Sequence, residues 1–389
     1  MREPSTSIAR SGTRRRGSVS GRIALLLAGV ACSAVVAGFA QAGLGCATQR
    51  GPAVVIQEPQ PIIRLSPDHK VLPPAVGLYH GVFQPPAPEK LTKLDAYAAK
   101  YGKSPAIVMW YQPWIDQPYG QFKTDAVKAL LARGIVPLIT WEPWNPGGDP
   151  HYLTNPAKQP AYKLSKIVRG DYDAYIRSWA KAVDGPIMLR PMHEMNGYWY
   201  PWSGLVNGNK PADFRAAWRH VHAIFAEEGV TNVTWVWSIN WCSSPNSTKN
   251  HYSAYYPGDG YVDWTSISGF NWGSYPKDPK NHSFSYIYTK PFAYLSKLGK
   301  PVVISEIACN TGVNKPAWIR DAYKRALSRN DLVKGIVYYD YREVGAGGTQ
   351  NWHLSSTTAS EKAYKSAIAS ALFVGAAPYS LLGTESVTP

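Results

Sequence analysis

Cysteine is scarce in this chain: four residues in 389, at positions 32, 46, 242 and 309, with no C-x-x-C pair among them. Paired-cysteine zinc and thiol-redox motifs are therefore excluded. Other catalytic signatures are missing as well. There is no G-x-S-x-G nucleophile elbow and no glycine-rich phosphate loop. His193-Glu194 begins like a zinc-binding helix, but position 197 is glycine, so the second ligand of H-E-x-x-H is absent. Acidic residues are outnumbered, 26 against 41 basic, and the formal charge of +15 first suggests nucleic acid or an anionic membrane. Much of that excess is local. Arg2, Arg10, Arg14, Arg15, Arg16, Arg22 and Arg50 face only Glu3 in the first fifty residues, and the remaining lysines are scattered. No nucleic-acid motif accompanies them, so no nucleic-acid partner is expected.

Phenylalanine is sparse too, 9 residues beside 15 tryptophans and 25 tyrosines. An ordinary core prefers side chains without a polar group to satisfy. Trp and Tyr present a flat apolar face with a polar edge, which suits stacking on the C–H face of a sugar ring. With 45% hydrophobic and 17% charged residues, the chain has a globular balance.

Composition divides the chain into four stretches. Arg14-Arg15-Arg16, an apolar run from Ile23 to Ala40 and the A-x-A pattern Ala40-Gln41-Ala42 make residues 1–42 a signal peptide or an N-terminal membrane anchor. The body is then exported, either secreted or held at the outer face of the membrane through that apolar segment. Residues 43–72 read as a linker, with Pro52, Pro59, Pro61 and Pro67 and no helical period. Residues 73–372 are the folded body, and 373–389 form a tail without a usable pattern. Within the body, Cys242 and Cys309 are expected to be separate buried thiols, with a disulfide as the alternative that export allows.

The body repeats one unit: a short apolar run, an aromatic or polar tip, then an amphipathic stretch. The runs are 75–82, 106–110, 136–141, 187–194, 233–238, 265–271, 302–306 and 336–341. Amphipathic stretches lie at 171–183, 211–228 and 316–329, with Asp213 as a cap after Pro211 and Gly229 as a stop. Eight such units predict an α/β fold, a TIM (β/α)8 barrel; a doubly wound open sheet is the alternative.

Chemistry on such a barrel sits where the strands end. Here the ends carry Trp110-Tyr111, Trp141-Glu142, His193-Glu194, Trp237-Ser238-Ile239-Asn240, Asn271-Trp272, Ser305-Glu306 and Tyr339-Asp340-Tyr341. Glu194 and Glu306 end the fourth and seventh runs, positions that converge over a barrel mouth. Hydrolysing a glycosidic bond needs one carboxyl to protonate the leaving oxygen and a second to attack carbon or activate water. Strand alternation sets Arg190, Met192 and Glu194 on one face, which places a fixed cation beneath the acid. Trp141, Asn240 and Trp272 at the tips are candidates for sugar binding. Glu142 and Asp340 are further carboxylates at strand tips, as suited to binding a sugar hydroxyl or holding a loop as to taking part in bond cleavage.

The run Arg190-Pro191-Met192-His193-Glu194-Met195-Asn196-Gly197-Tyr198-Trp199-Tyr200-Pro201-Trp202 resembles glycoside hydrolase family 26, the β-mannanase family. The likeness continues in Thr140-Trp141-Glu142-Pro143-Trp144, Tyr255-Tyr256-Pro257-Gly258-Asp259 and Asn351-Trp352-His353-Leu354. It implies a retaining double displacement with Glu194 as proton donor and Glu306 as nucleophile. It also implies sugar contacts by His193, Trp199 and Trp202, and adds Trp352 to the binding candidates. Such chemistry needs no cofactor and no metal, and its partner is a β-linked polysaccharide or oligosaccharide. The sequence departs from the family at Ser268 and Phe270, where the family has an acid and then a tyrosine that hydrogen-bonds the nucleophile. Tyr275 is a candidate to replace that tyrosine. The expectation is a retaining endo-β-glycanase acting on β-1,4-mannan or a related polymer, the alternative a non-catalytic carbohydrate-binding protein on the same scaffold.

Overall fold

The computed structural model describes residues 61–115, 120–146, 158–273, 281–345 and 348–382. The expected export segment 1–42, linker residues 43–60, Tyr275 and tail residues 383–389 lie outside the described residues. Among those described, no helix is long and apolar enough to cross a membrane.

Eight parallel strands form a closed barrel: β1 (Leu78–Phe83), β2 (Ile107–Pro113), β3 (Val136–Glu142), β4 (Ile187–Pro191), β5 (Val233–Asn240), β6 (Trp264–Asn271), β7 (Val302–Cys309) and β8 (Val333–Tyr339). Each pairs with the next, and β8 returns to β1 over five residue pairs from Tyr79–Gly335 to Phe83–Tyr339. That last pairing closes the sheet and excludes the doubly wound alternative. Every residue of β3 and β7 is buried, because one side of each strand faces the barrel interior and the other faces the helices.

Among the described residues eight α-helices surround the barrel: α1 (Thr92–Tyr101), α2 (Thr124–Leu131), α3 (Leu164–Arg169), α4 (Asp173–Lys181), α5 (Pro211–Glu227), α6 (Phe284–Leu295), α7 (Lys315–Leu327) and α8 (Thr358–Ile368). The start of α5 follows from its sequence. Pro211 takes the first turn, where no backbone N–H is needed, and the Asp213 carboxylate accepts the Lys210 N–H at 2.8 Å. Gly229 ends it in a left-handed conformation, φ +72°, that other residues adopt only under strain.

The structure departs from simple strand periodicity at the two places that matter most. The fourth run was expected to extend to Glu194, but β4 stops at Pro191. Met192 and Glu194 then adopt φ values of 49° and 53°, so alternation does not carry past the strand end. In the other direction, β7 continues to Cys309, three residues beyond Glu306. Its register shifts between Ile304 and Ile307 against β8, and β6 shifts between Ile267 and Ser268 opposite it. Such bulges re-aim side chains at a barrel rim.

Residues at both edges of the periodic body also join the fold. A short strand at Ile63–Leu65 pairs in parallel with Tyr379–Leu381, and Phe373–Val374 pairs with the start of β1. Val71 N–H donates to Thr234 Oγ1 at 2.7 Å, and Trp264 Nε1 donates to the Val71 carbonyl at 2.9 Å. Thr234 and Trp264 begin β5 and β6, so this segment covers the N-terminal end of the barrel, opposite the strand tips. Strands of two or three residues carry too little pattern to be seen in sequence.

Candidate active site

The strand tips surround a cleft of about 1000 Å³. Among the described residues four carboxyl groups line it, Glu142, Glu194, Glu306 and Glu343, together with Tyr111, Trp144, Trp199, Trp241, Phe270 and Trp272. No lysine or arginine is among the described lining residues. The cation is underneath.

Arg190, on β4, points into the barrel and is fully buried. Its Nη2 donates to Glu306 Oε1 at 2.6 Å. Hydroxyls hold the rest of the guanidinium: Thr140 Oγ1 accepts from Nε at 2.8 Å and from Nη2 at 2.6 Å, and Ser305 Oγ accepts from Nη1 at 2.7 Å. Ser266 Oγ in turn donates to Ser305 Oγ at 2.7 Å. This polar layer comes from inward positions on four strands, and it fixes Arg190 directly below Glu306. Arg190 acts on Glu194 through its charge, as strand alternation suggested, but its hydrogen bond goes to Glu306, because the left-handed Met192 and Glu194 end the alternation after β4.

Glu194 is set by a turn rather than by a strand. Its backbone N–H donates to the Ser238 carbonyl at 3.0 Å, and its carbonyl accepts from Gly197 N–H at 2.9 Å. Trp199 Nε1 donates to Glu194 Oε2 at 2.8 Å. Gly197 makes this possible: a Cβ there would stand 2.5 Å from the Trp199 ring. The glycine that rules out a zinc helix is thus the residue that lets the indole lie across the turn. Burial pushes the Glu194 carboxyl up to about 7, with the charge on Glu306 adding to it; hydrogen bonds from Asn240 and Trp199 and the Arg190 charge act the other way.

Glu142 ends β3 and accepts from Trp144 Nε1 at 3.1 Å. Burial pushes its carboxyl up to about 8 despite that bond and the Arg190 charge. Glu343 enters from a hairpin after β8, Arg342–Gly345 paired with Gly348–Asn351, and accepts from Tyr339 Oη at 2.6 Å. Its carboxyl is also raised, chiefly by burial. Nothing in the strand pattern pointed to Glu343; the glycine-rich sequence at 345–348 is its only signal.

Of the residues expected at the site, Glu194, Glu306, Trp199, Asn240 and Trp272 meet in the cleft. The others do not line it. Trp141 alternates with Thr140 and Glu142 along β3 and therefore faces outward, stacked on Trp179 of α4 at 4.4 Å and donating to Tyr175 Oη at 3.2 Å. His193 and Trp202 lie beneath the wall. Trp202 Nε1 donates to the His193 carbonyl at 2.6 Å and its ring stacks on Tyr200 at 4.3 Å, while His193 Nε2 is 3.0 Å from Tyr200 Oη. They hold Tyr200, which does line the cleft. Burial, then the Arg190 charge, keep His193 neutral by lowering its pKa well below the usual range. Trp352 is buried behind the opposite wall, edge-on to Trp272 at 5.1 Å.

Phe270 packs among Tyr339, Trp352 and Trp272 with ring centroids 5.3, 5.1 and 5.9 Å away, so this wall offers Glu306 no hydroxyl from position 270. Ser268 Oγ lies 3.4 Å from Arg190 Nη1. Asp340 holds a loop: it accepts from Leu354 N–H at 2.8 Å, from Gln84 Nε2 at 3.1 Å, and lies 3.1 Å from His353 Nδ1. Cys309 is a buried thiol as expected, but Cys242 is an exposed one at the cleft, and no disulfide joins them. Among the described residues, no group of three or more His, Cys, Asp or Glu is placed to hold a metal ion.

Comparison with known proteins fits this geometry. Residues 156–327 match the model of glycosyl hydrolase family 26. The chain is 34% identical over 268 residues to Endoglucanase H of Acetivibrio thermocellus, covering 67% of this chain and 26% of that protein. It is 25% identical over 203 residues to mannan endo-1,4-beta-mannosidase of Bacillus subtilis, covering 44% of this chain and 52% of that one. The chain thus spans about a quarter and about half of these relatives. Among solved structures, a family 26 β-mannanase from Bacteroides ovatus superimposes with a TM-score of 0.56 at 16% identity, covering 78% of this chain and 91% of the other. A β-mannanase from a symbiotic protist of the termite Reticulitermes speratus gives 0.54 at 15% identity, covering 77% and 88%. At such identities the structures speak for the barrel alone.

Proposed function

Starting from a chain that belongs to glycoside hydrolase family 26, we propose that it is a retaining endo-β-glycanase in which Glu306 is the nucleophile and Glu194 the acid/base. The observation that carries this assignment is the unequal treatment of two glutamates in one cleft. Glu306 accepts a 2.6 Å hydrogen bond from the buried Arg190 guanidinium, whereas Glu194 accepts from the Trp199 indole and keeps its proton up to about 7.

In the first step, a Glu306 carboxylate oxygen attacks the anomeric carbon as Glu194 delivers its proton to the glycosidic oxygen. The C–O bond breaks, and the remaining chain leaves as an alcohol. In the second step, the Glu194 carboxylate takes a proton from water, whose oxygen attacks the same carbon and releases Glu306. Two inversions give net retention. A pair working this way stands ~5–5.5 Å apart. The aromatic lining of Trp199, Tyr200, Trp241 and Trp272 suits a polymer bound across the cleft.

For the substrate, we propose β-1,4-mannan or a related β-glucan. The relative matched over more of the chain, at higher identity, is an endoglucanase, which supports including β-glucans beside mannan. The apolar run Ile23–Ala40 supports export of the enzyme to where such polymers lie. A panel of soluble β-glucans, mannans and xylans, with products identified by mass and linkage, tests the reading. Parent protein producing new reducing ends from one of them, and Glu306→Ala losing that activity, is the expected result. Equal cleavage by Glu306→Ala overturns it.

A further inference from the structure

Resting on that reading of the cleft, we propose that Glu142 is a third working carboxyl, a neutral acid that donates a hydrogen bond to a hydroxyl of the bound sugar and so helps decide which sugar is accepted. The argument starts from charge. Among the described residues four carboxyls line the cleft, and the only cation below them, Arg190, is engaged with Glu306 at 2.6 Å. One carboxylate balances one guanidinium. A second unmatched negative charge in a largely buried, aromatic-walled site is costly, so the remaining carboxyls are held toward their protonated forms.

Glu142 is the most constrained of these. It is 3% exposed, at the very end of β3, next to Pro143. The titratable and charged groups around it are Tyr111 from β2, Arg190 from β4, His193, Glu194 and Tyr200 from the loop after β4, and Glu306 from β7. Of these, Glu194 and Glu306 disfavour its charge, Arg190 favours it, and burial outweighs all three. His193 stays neutral and supplies no counter-charge.

Geometry then says where the proton goes. Oε2 accepts from Trp144 Nε1 at 3.1 Å, which fixes the carboxyl plane and occupies that oxygen as an acceptor. Oε1 has no hydrogen bond from the described residues; His193 Nδ1, at 3.8 Å, is beyond reach. A protonated carboxyl has one O–H to donate, and here it sits on Oε1, at the cleft wall. A sugar hydroxyl that accepts this bond is held; one that has turned away leaves a buried donor without a partner, which is where discrimination between sugars arises.

The test follows KM separately from kcat for the parent, Glu142→Gln and Glu142→Met, on a soluble mixed-linkage β-glucan and a soluble glucomannan, from about pH 6 to about pH 9. The amide keeps a donor and cannot ionise; methionine keeps the shape and has no donor. The parent's KM is expected to be level at low pH and to rise about tenfold as the carboxyl ionises through about 8. Glu142→Gln is expected to lose that dependence, and Glu142→Met to show a KM raised about tenfold at every pH. A KM-against-pH curve in Glu142→Gln identical to the parent's, or a parent KM that never changes with pH, overturns the proposal. Failure of the parent to cleave either polymer or any other β-glycan instead overturns the hydrolase reading on which it rests.

Discussion

The guanidinium of Arg190 and the carboxylate of Glu306 meet at 2.6 Å with side-chain exposures of 0% and 5%. This pair sits on adjacent layers of the barrel interior, and hydroxyls from Thr140 and Ser305 hold the arginine from below. Phe270 packs among aromatic rings and has no hydroxyl to offer, and the hydrogen bond to Glu306 comes from Arg190. In the proposed mechanism, that pair sets two chemically identical side chains to different tasks.

Removing the cation leaves a buried carboxylate uncompensated. Arg190→Met is expected to lower kcat/KM by at least about a hundredfold and to destabilise the fold by roughly 3–5 kcal/mol. Arg190→Lys keeps the charge but not the planar fork, so it should recover stability better than activity. Steady-state kinetics beside thermal melts separate the two effects.

In the proposed mechanism Glu194 must carry a proton for the first step, so kcat/KM should fall as pH rises through about 7. Glu194→Gln should be nearly inactive on polymer, yet still react with an aryl glycoside whose leaving group needs no proton. A pH–rate profile and a pair of substrates with good and poor leaving groups provide the check.

Trp199 tunes that limit. Its indole N–H, 2.8 Å from Glu194 Oε2, favours the ionised form of the acid. Trp199→Phe should therefore raise the Glu194 pKa and move the alkaline limb upward. Gly197→Ala should act in the same direction, since a Cβ at that position displaces the indole. A limb that stays in place in both variants would contradict the assignment of Glu194.

Function here costs stability. The Glu194 carboxyl is raised from 4.5 to about 7 in the folded protein, so its contribution is fully present below about 4.5 and is lost as pH rises through about 7. Glu194→Gln has no proton to lose. At about pH 8 it should be more stable than the parent by on the order of 3 kcal/mol at most, and near parity at about pH 5. Calorimetric melts at the two pH values measure the difference.

Much of this arrangement is legible in the sequence. The eight strands stood out because each is apolar on both faces, and the two central glutamates because each falls at a tip. What stayed hidden depended on local geometry. Period-two reasoning linked Arg190 to Glu194, but the left-handed residues Met192 and Glu194 break the period and hand the arginine to Glu306. The aromatic motif residues Trp141, His193, Trp202 and Trp352 resemble ligand contacts in sequence, yet they are 0–1% exposed and support the wall from behind. Thr140 and Glu142 facing inward already implied that Trp141 faces out. Glu343 rides on a hairpin of four-residue strands, too short to announce itself.

The most direct measurement is the identity of the residue that becomes glycosylated. Glu194→Ala, mixed with an activated aryl β-glycoside and quenched, should accumulate a sugar adduct because its second step lacks a base. Peptide mass mapping is expected to find that sugar on Glu306. An adduct on Glu142 or Glu343, or the absence of any adduct together with product of inverted anomeric configuration from the parent, would contradict the account.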